Sequence, residues 1–331
     1  GMFQERLRLI EGAEACYATA SGMSAVFTSL IALLESGDAV VAAKGLFGSC
    51  FVILDELLPR WGIRTTFVDG DDLDAWEKAL SDGAKVVFFE SPSNPMQGLV
   101  DITAVSDLAH QAGATVVVDN VFATPILQKP LDLGADVVVY STTKHIDGQG
   151  RTLGGAILGT EQYIVEDVQP FIRHTGPALS PFNAWVLTKS LETLPLRVNA
   201  EVASALALAE ALEGLDGVER VWYPYLASHP QHDLARSQMA SGGTVVTFSV
   251  RGGKDAAFRL LNALEVIDIS NNLGDSKSLV THPASTTHRR LGPDVRADMG
   301  ITDGVVRVSV GLESIDDLIS DVTQAMEVAT S

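Results

Sequence analysis

The chain has 331 residues, 46% of them hydrophobic and 20% charged, so it is long enough for two domains with a large core. Its formal net charge of −19 argues against nucleic acid and against an anionic membrane surface as partners. No apolar run approaches the ~18 residues of a membrane span. The opening GMFQERLRLIEG predicts a helix, because charges interrupt every apolar stretch that a signal peptide would need.

The two cysteines, Cys16 and Cys50, argue against a disulfide framework and favour a reducing, cytoplasmic location. Cys16 lies in an apolar segment, where a small buried side chain is expected in preference to a nucleophile.

Helical and strand-like segments alternate over the first half of the chain. Helical spacing is found at 21–37, 51–61, 71–82 and 101–113, and short β-branched runs at 38–43, 64–69, 84–90, 114–120, 136–140 and 154–159. This alternation predicts an α/β fold with a mainly parallel sheet covered on both faces.

The pattern changes after a long helical stretch that is broken near Pro195. Strand-like segments VERVWYP, GTVVTFSV, KSLVTH and GVVRVSVG then mix with helices in no strict order. We therefore expect a large domain over 1–195 and a smaller α+β domain over 196–331.

Polar groups follow the predicted strands where ligands gather in open parallel sheets. They are Ser21 to Met23, Asn94, Asp119 with Asn120, and Ser141 to Lys144. A Ser-Gly pair at the start of a helix forms either an anion-binding site or an ordinary N-cap. There is no GxGxxG after the first strand and no P-loop motif, so a nucleotide-binding oxidoreductase is disfavoured.

Asp119 and Lys144 each have two interpretations. Asp119 is either satisfied by nearby amides or faces a cationic ring nitrogen. Lys144 is either a surface lysine or a Schiff-base lysine whose pKa falls from ~10.4 when it leaves water. His282 and His288 are six apart without a third ligand, so no metal site is expected.

Ordered blocks along the whole chain carry a family resemblance: FQERLRLIEG, ATASGMSAV, FFESPSNP, VVVDNVFATP, YSTTKHIDGQG, LSPFNAWVLTKSLETLPLR, SLVTHPASTTH and VVRVSVGLE. With these blocks the chain resembles the Cys/Met-metabolism family of pyridoxal 5'-phosphate (PLP) enzymes. The resemblance implies the aspartate aminotransferase-like fold type I and PLP as cofactor.

The resemblance also implies a role for each matching residue. Lys144 would form the Schiff base with PLP and move protons, and Asp119 would pair with the pyridinium nitrogen. The cradle for the phosphate would be Gly22, Met23, Ser141 and Thr143. Asn94 would lie near the ring oxygen and the substrate carboxylate, which Arg307 would clamp. From spacing alone, Arg307 could equally lie on the solvent-facing side of a strand.

Two departures from the wider family are informative. Phe47 stands where many members stack a tyrosine on the ring, and Asn272 stands where the lyases carry a serine. Phe can stack but cannot transfer a proton. With RHTGPALSPFNAW, both departures look most like the O-succinylhomoserine sulfhydrylase branch, which implies γ-replacement by sulfide to give homocysteine in methionine biosynthesis.

Several alternatives stay open. The closest are cystathionine γ-synthase with cysteine as nucleophile, an O-acetylhomoserine sulfhydrylase and a γ-lyase; a catalytically silent subunit with the same fold is the non-enzymatic one. The family implies a homotetramer, a dimer of dimers. In the family a segment with a Tyr-x-Arg motif precedes the FQERL-like helix and reaches the neighbouring subunit's phosphate, and the sequence starts after that position.

Overall fold

The computed structural model describes all residues from Gly1 to Ser331, and they form two compact units. The first contains 1–94, 98–193 and 238–240; the second contains 95–97, 194–237 and 241–331. No helix is long and apolar enough to cross a bilayer.

A seven-stranded sheet is the centre of the first unit. Its strands are β1 Ala15–Thr19, β2 Ala39–Ala43, β3 Arg64–Val68, β4 Val86–Glu90, β5 Thr115–Asp119, β6 Val137–Ser141 and β7 Gly155–Gly159, in the order β1-β7-β6-β5-β4-β2-β3. The pairs from β3 to β6 are parallel, whereas β7 runs antiparallel to both β6 and β1. The predicted mainly parallel sheet is therefore confirmed.

Helices cover both faces of this sheet. They are α1 Met2–Glu11, α2 Gly22–Ile31, α3 Gly48–Val52, α4 Leu73–Ser81, α5 Ile102–Gln111, α6 Thr124–Leu127, α7 Glu161–Tyr163, α8 Gln169–Thr175 and α9 Pro181–Ser190. Because both faces are covered, the central strands are apolar on both sides, and β4 is buried throughout. Strand β1 was not predicted, and α2 ends at Ile31 rather than continuing to Gly37.

The second unit is built on a five-stranded sheet. Its strands are β8 Val218–Trp222, β9 Val245–Val250, β10 Asp268–Ile269, β11 Leu279–Thr281 and β12 Val305–Ser309, in the order β10-β11-β12-β9-β8. Its helices are α10 Leu194–Glu213, α11 His232–Gln238, whose last residue groups with the first unit, α12 Gly253–Ala263, α13 Gly292–Asp298 and α14 Ile315–Thr330. A hydrophobic core made by α10, α12, α14 and the sheet holds this unit together.

A buried network of hydrogen bonds connects α1 to the ends of β5 and β6. The Tyr140 hydroxyl donates to Oε2 of Glu11 at 2.6 Å, and Nδ2 of Asn120 donates to the Tyr140 oxygen at 2.6 Å. Gln128 extends this network, because its Nε2 donates to Oδ1 of Asn120 at 2.8 Å. Buried hydrogen-bond networks rigidify their surroundings. Here the network holds Asn120, which follows Asp119, and Tyr140, which precedes Ser141.

Glu11 should make stability depend on pH. Burial raises its pKa from 4.5 to about 7, although the Tyr140 hydroxyl and the charge of Lys129 oppose this. The native state therefore prefers the protonated carboxyl. The contribution of protonated Glu11 to the free energy of unfolding is complete below pH 4.5 and is lost as the pH rises through 7.

We predict that Glu11→Gln gains stability relative to the unmodified protein between pH 4.5 and pH 7, by on the order of 3 kcal/mol. Urea unfolding at a series of pH values measures this difference. Glu77→Gln, on the exposed side of α4, is the control and should show no such trend. A constant difference between Glu11→Gln and the unmodified protein would contradict the prediction.

Candidate active site

The carboxyl ends of three neighbouring parallel strands bring the central polar residues to one edge of the first sheet. Glu90 ends β4 in register with Asp119 of β5, and Ser141 ends β6. Lys144 lies in the turn after β6, where its amide donates to the Ser141 carbonyl at 3.3 Å. This is the edge at which open parallel sheets bind ligands.

Asp119 is a carboxyl group in surroundings that disfavour its charge. Burial raises its pKa from 3.8 to about 7. The Val121 amide, which donates to Oδ1 at 3.0 Å, and the positive charge of Lys144 both act in the opposite direction. A cation placed against Asp119 would favour its ionised form, as a protonated ring nitrogen does.

The start of α2 offers donors for a phosphate. Ser21 caps the helix by accepting from the Ser24 amide at 3.1 Å, and the amides of Gly22 and Met23 in the first turn have no intrahelical acceptor. A Cβ on Gly22 would lie 2.5 Å from Cβ of Ser141, so only glycine allows this close approach. Two amides at the positive helix end beside a serine hydroxyl suit a phosphate group.

Thr143 contributes to the same region by holding the turn that leads into β7. Its hydroxyl donates to the Gly154 carbonyl at 3.3 Å and accepts from the Gly154 amide at 3.2 Å. Gly155 follows, and a Cβ there would lie 2.2 Å from the carbonyl oxygen of Ser21. These contacts fix the α2 start against the Ser141 strand.

Phe47 and Asn94 lie on loops beside the strand ends. The half-buried Phe47 ring packs on one hydrophobic cluster of the first unit, and Asn94 is buried. The Phe47 amide donates to Oε1 of Glu90 at 2.7 Å. Glu90 was not predicted as a site residue, although FFE and VVVD both end an apolar run with a carboxylate.

Arg307 and Asn272 belong to the second unit. Arg307 is 1% exposed in the middle of β12, so the solvent-facing alternative is wrong. Its Nη2 donates to the carbonyls of Asn271 and Asn272, both at 3.1 Å. Burial lowers the pKa of Arg307 to about 10, which leaves the guanidinium charged at neutral pH.

The candidate metal ligands have other roles. Both ring nitrogens of His282 are hydrogen-bonded, one to the Ser285 hydroxyl and one to the Asp303 carbonyl. Donor atoms of Cys50, Glu90 and Asp119 lie within 4.8 Å of one another. Burial raises the pKa of the Cys50 thiol well above its usual range, which opposes the thiolate that a metal would require.

Known proteins with similar sequences belong to one enzyme group. The model of the family described as "Cys/Met metabolism PLP-dependent enzyme" matches residues 1–327. An O-succinylhomoserine sulfhydrylase of Mycobacterium tuberculosis is 65% identical over 98% of this chain and 81% of its own length. One from Pseudomonas aeruginosa is 51% identical over 98% and 80%, and the L-methionine gamma-lyase of Pseudomonas putida is 43% identical over 98% and 82%.

Solved structures agree with this grouping. A cystathionine gamma synthase from Xanthomonas oryzae pv. oryzae, in complex with aminoacrylate and cysteine, superposes with a TM-score of 0.97 at 34% identity, over 99% of this chain and 85% of that one. A cystathionine gamma-lyase from Lactobacillus plantarum, complexed with L-serine, gives 0.94 at 31% identity, over 98% and 84%. The predicted fold type I is confirmed, PLP is the cofactor, and the chain belongs to the Cys/Met metabolism family of PLP-dependent enzymes.

Proposed function

We propose that this enzyme replaces the succinyl ester of O-succinylhomoserine with sulfide. The single observation that carries the proposal is the ranking of relatives. Two at 65% and 51% identity are named O-succinylhomoserine sulfhydrylase, while an L-methionine gamma-lyase stands at 43%. In the overall reaction, succinate leaves the γ-carbon and hydrosulfide then forms the C–S bond there, giving homocysteine and succinate.

The cofactor supplies an electron sink that acidifies the bonds next to the substrate's α-carbon. Lys144 would hold the cofactor through Nζ and would accept and return protons at the substrate. Asp119 would keep the ring nitrogen protonated, and Phe47 would stack on the ring. Phe47 has no proton to give, so proton transfer depends on Lys144.

The polar groups around these residues orient the ligands. The amides of Gly22 and Met23 and the Ser141 hydroxyl would hold the phosphate, and the Thr143 hydroxyl would join them by turning its proton from the Gly154 carbonyl. Arg307 would bind the substrate carboxylate. The backbone carbonyl of Asn272 accepts a hydrogen bond from Arg307, and Asn272 would shape the part of the site that faces the substrate.

Cystathionine gamma-synthase activity is the second candidate, because a structure of that enzyme with cysteine superposes at a TM-score of 0.97. The two activities share the substrate and differ in the nucleophile. O-acetylhomoserine as substrate and γ-elimination are the other outcomes that an assay must separate.

We also propose a homotetramer acting in the cytoplasm. Exposed apolar side chains on the first unit, among them Met2, Leu9, Phe182 and Trp185, are support for self-association, and both cysteines are free thiols, as in a reducing compartment. Sedimentation velocity of the PLP-loaded enzyme measures the assembly, and a monomer would contradict it.

A competition assay tests the reaction. With PLP and O-succinylhomoserine, we expect kcat/KM for sulfide to exceed that for cysteine by at least about 10-fold, because a pocket shaped for hydrosulfide disfavours a larger nucleophile. Product analysis separates homocysteine, cystathionine and the keto acid of elimination. Dominant cystathionine would favour the synthase, and a dominant keto acid would favour a lyase.

Borohydride reduction tests the role of Lys144. We expect it to abolish the visible absorption band of the bound cofactor and to leave a pyridoxyl group on the peptide that contains Lys144. Lys144→Ala should show neither, whereas Lys85→Ala, at an exposed lysine just before β4, should behave as the unmodified protein. Labelling of a different lysine would contradict the assignment.

Arg307→Lys tests the carboxylate clamp. Lysine keeps the charge but loses the paired donors of the guanidinium fork, so we expect KM for O-succinylhomoserine to rise about 10-fold or more. Arg251→Lys, at an exposed arginine of the same unit, is the control. An unchanged KM in Arg307→Lys would remove Arg307 from the substrate site.

A further inference from the structure

Glu90 is a buried carboxyl beside the half-buried Asp119, and the proposed reaction gives it no task. It is 4% exposed at the end of β4, and its Cα pairs in register with that of Asp119 on β5. A carboxyl side chain is costly to bury unless it is hydrogen-bonded or paired.

The partners of Glu90 are residues assigned to the cofactor. Its Oε1 accepts from the Phe47 amide at 2.7 Å, and the backbone amide of Asn94 also hydrogen-bonds to it. The Cys50 thiol donates to the same carboxyl, and the donor atoms of Cys50, Glu90 and Asp119 lie within 4.8 Å of one another. The Glu90 side chain thus connects the loop that carries Phe47, the loop that carries Asn94 and the end of β5 at Asp119.

The neighbouring charges determine which of the two carboxyls, Glu90 or Asp119, is ionised. Two carboxylates this close in a buried site do not both ionise. Burial and the neighbouring Asp119 raise the pKa of Glu90 well above its ordinary value, although the hydrogen bonds from the Phe47 amide, the Cys50 thiol and the Asn94 amide act in the opposite direction. The charge of Lys144 and the Val121 amide favour ionisation of Asp119 instead, and the neighbouring Cys50 remains a neutral thiol.

We propose that Glu90 is a positioning residue that stays protonated and leaves the negative charge to Asp119. Its hydrogen bonds hold the Phe47 and Asn94 loops in position beside Asp119. The proposal rests on the assignment of PLP to this site. Protonated Glu90 would carry no charge of its own, so Asp119 and the ring nitrogen would form a neutral pair inside the protein.

Two substitutions separate the roles of Glu90. Glu90→Gln keeps a neutral side chain with an oxygen acceptor for the Phe47 amide. Glu90→Met keeps a similar length but accepts no hydrogen bond from the two loop amides. Glu77→Gln, at an exposed position, is the matched control.

The readouts are the dissociation constant of PLP and the visible circular dichroism per bound cofactor, which reports how firmly the ring is oriented. We expect Glu90→Gln to stay within about 3-fold of the unmodified protein in affinity, with the same dichroism. We expect Glu90→Met to bind PLP about 10-fold more weakly or worse, with the dichroism at least halved, because two buried amides lose their acceptor.

Each contrary result is decisive. Weak binding by Glu90→Gln would mean that Glu90 is ionised, and unchanged dichroism in Glu90→Met would mean that it positions nothing. If Glu90→Met does not fold, infrared difference spectra of glutamate-labelled protein, unmodified minus Glu90→Gln, test for the protonated carboxyl at neutral pH, and its absence overturns the proposal. Failure of the unmodified protein to bind PLP through Lys144 would instead overturn the proposed function.

Discussion

A half-buried carboxyl group at the end of β5 is the constraint on which the rest of this site depends. Asp119 terminates an apolar strand in the centre of the sheet, where desolvation raises its pKa to about 7. The Val121 amide and a nearby positive charge both favour the anion there. Lys144 supplies part of that charge from the next strand end, and in our account the protonated ring nitrogen of the cofactor supplies the rest.

The surrounding framework keeps this electrostatic arrangement in place. Tyr140 and Asn120 connect the strand ends to Glu11 on α1, so the positions next to Asp119 and Ser141 are held by buried hydrogen bonds. On the other side, the close approach of Gly22 to Ser141 places the α2 amides beside the same edge. A rigid protein scaffold is what lets a cofactor's reactive atoms be oriented, since the organic chemistry belongs to the cofactor itself.

The sequence predicted the parallel core because buried β-branched runs between helices have few other solutions. It missed β1, whose short run ACYAT lies beside β7 at the sheet edge, and it could not reveal that GGAILG runs antiparallel. Family motifs pointed to Lys144 and Asp119. Glu90 and Glu11 escaped attention because a glutamate at the end of a strand or helix resembles an exposed one until its partners fold around it. Spacing alone could not tell whether Arg307 was solvent-facing or buried, since β12 is covered on both faces.

The most direct test compares PLP with its 1-deaza analogue, in which a C–H group replaces the ring nitrogen. If Asp119 is ionised against that nitrogen, the protein should bind PLP at least about 10-fold more tightly than the analogue, since a hydrogen bond to a charged group is at stake. The preference should vanish in Asp119→Ala. Equal affinities for both compounds in the unmodified protein would show that Asp119 does not interact with the ring nitrogen, and our account of the site would be wrong.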